Sequence, residues 1–83
     1  MEEAWAIRVK AVRSGLGMTQ AAFAQRMGMS YVAISKWENL LRRPYSRNAE
    51  WFEVIEGRFN EGRLPRLGPG EERTWRELFE GGE

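Results

Sequence analysis

One twenty-residue window, Gln20 to Asn39, restricts this chain more than any other feature. It reads Gln20-Ala21-Ala22-Phe23-Ala24-Gln25-Arg26-Met27-Gly28-Met29-Ser30-Tyr31-Val32-Ala33-Ile34-Ser35-Lys36-Trp37-Glu38-Asn39. Phe23, Ala24 and Met27 share one side of a helix expected over Gln20 to Met27, with Thr19 as its N-cap. Gly28 follows, the residue type that most easily takes the left-handed backbone of a sharp helix-to-helix turn. Met29 is an apolar plug, and Ser30 caps a second helix expected from Tyr31 to about Asn39, whose Ile34 and Trp37 point inward. Two short helices crossing at about 90–120° need a small residue at the crossing and bulky ones in the angle. Ala24 is the small residue, and Phe23, Met27, Met29, Ile34 and Trp37 are the bulky ones. Tyr31, Val32, Ser35 and Lys36 are left on the outer side, where stability alone gives an apolar Val32 no reason to be.

The flanking segments extend the same helical pattern. Trp5, Val9 and Val12, widened by Ile7 and Ala11, predict a first helix over Ala4 to Arg13, stopped by Ser14-Gly15 with Gly17 behind. Glu2 and Glu3 are expected at its positive end. Leu40 to Pro44 reads as a connection, because Pro44 disfavours helix just before it. Ser46 is the expected cap of a further helix over Arg47 to Phe59, bearing Trp51, Phe52, Ile55 and Phe59. Asn60 to Gly70 holds three Gly and two Pro and reads as loop. Glu71 to Glu80 predicts a last short helix with Trp75, Leu78 and Phe79 on one side, followed by a frayed Gly81-Gly82-Glu83. With no alternating pattern, the expected fold class is all-α, in two parts: residues 1–59 as the main domain and residues 60–83 as an extension for packing or dimerisation. A stripe placed after a Pro/Gly loop is poorly positioned to extend one core, which slightly favours the dimer contact.

Composition narrows the chemistry. The chain has no Cys, His or Asp, so it lacks a disulfide or zinc-thiolate staple, the usual general base and the commonest transition-metal ligand. No enzyme activity, cofactor or metal is expected. The acidic N-terminus lacks a signal-peptide layout and no apolar run approaches a membrane span, so a cytoplasmic location is expected. The net charge of +1 hides an asymmetry: residues 1–48 carry eight basic and three acidic side chains, and residues 49–83 carry five and nine. Such a division suits a first half that meets a polyanion.

The stretches Gly17-Met18-Thr19-Gln20, Met27-Gly28-Met29-Ser30 and Ile34-Ser35-Lys36-Trp37-Glu38, with Arg43-Pro44 behind, resemble the Xre/Cro-type helix-turn-helix family of phage and bacterial repressors. The resemblance covers about Ile7 to Ile55. It implies a compact, lambda-repressor-like bundle of four to five helices, with the third helix in the DNA major groove and homodimers on paired half-sites. It assigns Gln20, with Thr19, to a backbone phosphate; Tyr31, Val32 and Lys36, with Ser35 alongside, to base edges; and Asn39, Arg42, Arg43 and Arg47 to further phosphates. Arg8 and Lys10 are candidates for an adjacent phosphate. Arg13 and Glu38 are implied as a structural ion pair between helices one and three. Where the family often has Gly, this chain has Leu40, so Asn39 is expected to take the left-handed turn, leaving Leu40 and Leu41 for the core or an interface. The implied function is a sequence-specific, repressor-like transcription regulator. The alternative is a protein-binding adaptor on the same scaffold, antitoxin-like or RNA polymerase-binding, using the acidic second half, the Trp75, Leu78 and Phe79 stripe and the Leu40-Leu41 pair.

Overall fold

A computed structural model describes residues 3–65 and 67–81. Glu2, Gly82 and Glu83, named above for a helix end and a frayed tail, lie outside the described residues. Five helices run in order: α1 (Trp5–Gly15), α2 (Gln20–Met27), α3 (Tyr31–Trp37), α4 (Arg47–Asn60) and α5 (Trp75–Glu80). Among the described residues there is no strand, and no helix is long and apolar enough to cross a membrane. The protein is all-α.

Short polar side chains set most of the helix starts. The hydroxyl oxygens of Thr19, Ser30 and Ser46 accept hydrogen bonds from the N–H groups of Ala22, Ala33 and Ala49 at 3.0, 3.1 and 3.1 Å. Each thereby satisfies one of the amides a helix leaves unpaired at its start. α1 is different, because its N-cap Ala4 has no side chain that can accept. The Trp5 and Ala6 amides instead donate to the carbonyls of Leu41 and Leu40, at 3.1 and 2.8 Å. Gly28 has φ 72° and ψ 30°, the left-handed turn between α2 and α3.

The core is a chain of aromatic rings. Trp5 meets Trp37 and Phe52 edge-on, with ring centres 5.2 and 5.1 Å apart, and Phe23 meets Phe52 and Trp75 at 6.3 and 5.7 Å. Such pairs are worth about 0.5–1.5 kcal/mol each beyond their buried area. Val9, Val12, Ala24, Met27, Ile34, Ala49 and Ile55 fill the space between them. Ala24 is 2% exposed, consistent with its place at the crossing of α2 and α3.

Several expectations are corrected. Asn39 does not turn left-handed: among the described residues only glycines have positive φ. α3 ends at Trp37, and the Asn39 side-chain amide donates back to the Ser35 carbonyl at 3.0 Å, satisfying a group the helix end leaves free. Leu40 and Leu41, expected in the core or an interface, are exposed and so not core, while their carbonyls face α1. In α1, Ala6 is buried, while Ile7 and Ala11 are exposed. The helix also continues to Gly15, where an added Cβ would lie 2.4 Å from Phe59 Cζ. The last helix begins at Trp75, not Glu71. Thr74 and Glu77 form a capping box, with Glu77 N–H donating to Thr74 Oγ1 at 3.1 Å and Thr74 N–H donating to Glu77 Oε1 at 2.7 Å. Trp75, expected on balance at a dimer contact, is 1% exposed in the core. Leu78 and Phe79 pack against the same core, Phe79 edge-on to Trp51 at 5.8 Å.

Candidate nucleic-acid interface

The outer face of α3 is the most distinctive surface of the molecule. Ile34 and Trp37 hold the helix against the core, so Tyr31, Val32 and Lys36 project away from it. Tyr31 is 55% and Val32 60% exposed, and Lys36 is exposed. Ser35 beside them is half-buried. Among the described residues the side chains of Tyr31 and Lys36 have no hydrogen-bond or ion-pair partner.

Glu38 lies directly behind this face, at the end of α3, with a side chain only 2% exposed. Arg13 grips it with two bonds, Nε to Oε2 at 2.6 Å and Nη2 to Oε1 at 3.0 Å. Gln20 adds a third, Nε2 to Oε1 at 2.9 Å, and Arg13 Nη1 also donates to the Met18 carbonyl at 3.0 Å. A single carboxylate therefore joins α1, the start of α2 and the end of α3. Burial pushes the Glu38 carboxyl pKa up, but the bonds from Arg13 and Gln20 outweigh it and hold it below its ordinary value. The Arg13 guanidinium is shifted up by the same pair. The family resemblance implies that Gln20 braces the recognition helix, but Glu38 as its partner was not named, because nothing in local spacing relates residues eighteen positions apart.

The other cations expected at phosphates divide into two groups. Arg42, Arg47 and Lys10 are exposed and have no ion pair among the described residues, and Asn39 and Thr19 are exposed beside α3 and α2. Arg43 and Arg8 are internally paired. Arg43 Nη2 donates to Glu53 Oε1 at 2.9 Å, and Arg8 Nη2 donates to Glu53 Oε2 at 3.0 Å and Glu56 Oε1 at 2.6 Å. Arg43 first, and Arg8 with it, hold the Glu53 carboxyl below its usual range, against the opposing effect of burial. Glu53 as a hub was missed by the sequence reading. The available signal was the three-residue spacing of Glu53 and Glu56, which puts two carboxylates on one helix face. Among the described residues no group of three or more His, Cys, Asp or Glu is placed to hold a metal ion.

Two short helices joined by a left-handed glycine, with the second presenting an unpartnered outer face, define a helix-turn-helix domain. A family model described as Helix-turn-helix matches residues 9–48, a stretch similar to the Xre/lambda-repressor-like helix-turn-helix family. That family is one of DNA-binding regulators. The match begins inside α1 and ends at the first turn of α4, so the C-terminal segment lies beyond it. No curated protein and no solved structure matches the chain.

Proposed function

We propose that the protein is a sequence-specific transcription regulator of the repressor-like kind, docking α3 in the major groove of double-stranded DNA as a homodimer inside the cell. The observation that carries this reading is the outer face of α3. Tyr31, Val32 and Lys36 are exposed on a helix whose opposite face is fully engaged. Lys36 suits guanine O6 or N7, Val32 a thymine methyl, and Tyr31 and Ser35 a base edge or adjacent phosphate. Thr19 and Gln20 at the start of α2, with Asn39, Arg42 and Arg47 after α3, are assigned to phosphates, which fix register without reading sequence. Gln20 and Asn39 each donate one amide N–H to Glu38 and Ser35, leaving the second for a phosphate, and Arg43 joins them only by releasing Glu53, to which it is bonded.

The homodimer reading is supported by size. Half-sites one helical turn apart are about 34–36 Å from centre to centre. The molecule measures 37 × 24 × 23 Å, so copies on successive turns come into contact when the long axis lies along the DNA. Leu41 and Tyr45, 78% and 100% exposed in the connection after α3, offer apolar surface for such a contact. The adaptor alternative is less favoured, because the Trp75, Leu78 and Phe79 stripe packs on the core, although Leu41 stays exposed.

Selection of bound duplexes from a random pool, followed by fluorescence polarisation over a salt series, tests the reading. The expected result is a palindromic consensus whose affinity falls steeply with salt, by a log-log slope of about −0.9 per phosphate contacted. An unenriched pool, or affinity indifferent to salt, would overturn it.

A further inference from the structure

The C-terminal segment lies outside the family match, yet it grips the half of α2 that leads into the turn. Three consecutive backbone carbonyls of this segment face α2. Arg26 Nη1 donates to the Arg73 carbonyl at 2.6 Å, Arg26 Nη2 donates to the Glu71 carbonyl, and Gln25 Nε2 donates to the Glu72 carbonyl. Glu71 shapes this stretch by accepting from the Arg73 N–H and from Arg73 Nε, both at 2.9 Å. One residue further on, Thr74 Cγ2 would lie 3.7 Å from a Cβ built on Gly28, so the segment abuts the turn itself. Trp75 completes the grip by meeting Phe23 edge-on at 5.7 Å.

We infer that residues 71–75 form a positioning strap for the DNA-reading helix, with Arg26 and Trp75 as its positioning residues. α2 has only eight residues, and helices that short are not stable by themselves, so its placement depends on what packs against it. Its N-terminal end is fixed through Gln20 and Glu38. Its C-terminal end, from Phe23 to Gly28, is fixed by the strap. Clamping both ends sets the angle at Gly28 and hence the direction in which α3 presents Tyr31, Val32 and Lys36. Arginine suits the role because a planar guanidinium donates to two carbonyls at once in a fixed geometry, which a lysine ammonium does not reproduce. The consequence for binding rests on the reading of α3 as the DNA-contacting helix, whereas the positioning itself does not.

The test compares wild type with Arg26→Met, Arg26→Lys and Gln25→Ala at a temperature where circular dichroism shows each fully folded. Gln25 is exposed, so its truncation leaves a folded chain even if Arg26→Met does not fold. Two quantities are read: the affinity ratio between a pool-selected duplex and a scrambled duplex of equal length, and the backbone amide chemical shifts. Positioning predicts that Arg26→Met lowers the ratio at least tenfold, Arg26→Lys lowers it less and Gln25→Ala least, while affinity for the scrambled duplex is unchanged. It also predicts that shift changes reach Ala33, Ile34 and Ser35 in α3. A strap that only adds stability would leave the ratio of the folded variants at the wild-type value and confine shift changes to residues 23–28 and 71–75, and either result would overturn the inference. If wild type itself prefers no duplex, the DNA reading fails, and the α3 shifts alone decide whether the strap positions the helix.

Discussion

The front of α3 and the back of α2 treat their side chains in opposite ways. At the front, Tyr31, Val32 and Lys36 stand exposed, without internal partners among the described residues. At the back, Gln25 and Arg26 donate to three consecutive carbonyls of the C-terminal segment although Gln25 is itself exposed. Exposure therefore does not distinguish the two faces, but unused bonding capacity does. A surface whose donors are already committed to its own chain is scaffold, and one whose donors remain free is available to another molecule. Between the faces lies Glu38, buried and held by Arg13 and Gln20, which ties the free face to the rest of the fold.

The contrast breaks most severely at that buried carboxylate. Arg13→Ala leaves Glu38 without its cation and is expected to cost about 3–5 kcal/mol. Thermal unfolding followed by circular dichroism would show the melting temperature falling by about 12 °C or more. The same pair contributes to the acid limit. The pKa of Glu38 is lower in the folded state, so its contribution is complete above the unfolded value near 4.5 and is lost as pH falls through the folded one. Melting temperature is therefore expected to decline below pH 4.5, and Glu38→Gln to shallow that decline. Part of the slope would remain, because Glu53 and Glu71 are also lowered, Glu71 to about 2.

At the free face the effects move from stability to binding. Lys36→Ala is expected to weaken binding to a selected duplex by about 1–3 kcal/mol, read by fluorescence polarisation, with an unchanged melting temperature. Ser30→Ala removes the cap of α3 and is expected to cost about 1 kcal/mol of stability in urea titration. The smallest effect belongs to the Arg63–Glu61 pair, whose side chains are 66% and 59% exposed. Arg63→Ala should leave both melting temperature and DNA affinity unchanged, and a clear loss of either would extend the scaffold beyond the regions described.

Local chemistry explains what was legible in the sequence. Thr19, Ser30 and Ser46 act on amides three residues away, and Gly28 acts on its own dihedrals, so these signals are complete within a few residues. The Thr74–Glu77 capping box was equally local, yet the helix was expected from Glu71, four residues too early. The Asn39 turn failed for a different reason. The side-chain amide competes for the Ser35 carbonyl, and no left-handed residue is needed once Glu38 leaves α3 at φ −78°. In the site, the exposure of Tyr31, Val32 and Lys36 follows from helical period alone. The partners of Arg8, Arg26 and Arg43 do not, because they are chosen by tertiary packing across ten to forty-eight residues of sequence. A basic side chain looks the same in sequence whether it faces a phosphate or its own chain's carboxylate.

The first turn of α1 has a use beyond holding that helix in place. Its Trp5 and Ala6 amides are closed by the carbonyls of Leu41 and Leu40 rather than by a local cap, which makes the start of one helix a sensor of the loop that leaves another. First-turn amides ordinarily exchange quickly with deuterated solvent, whereas these two can exchange only when the loop lets go. Their deuteration rates therefore report, from thirty-six and thirty-four residues upstream, each departure of the Leu40–Leu41 segment from the body of the protein. A nucleic acid that engaged the neighbouring Arg42 and steadied this loop would be recorded there as slower uptake, with no label placed on the binding face.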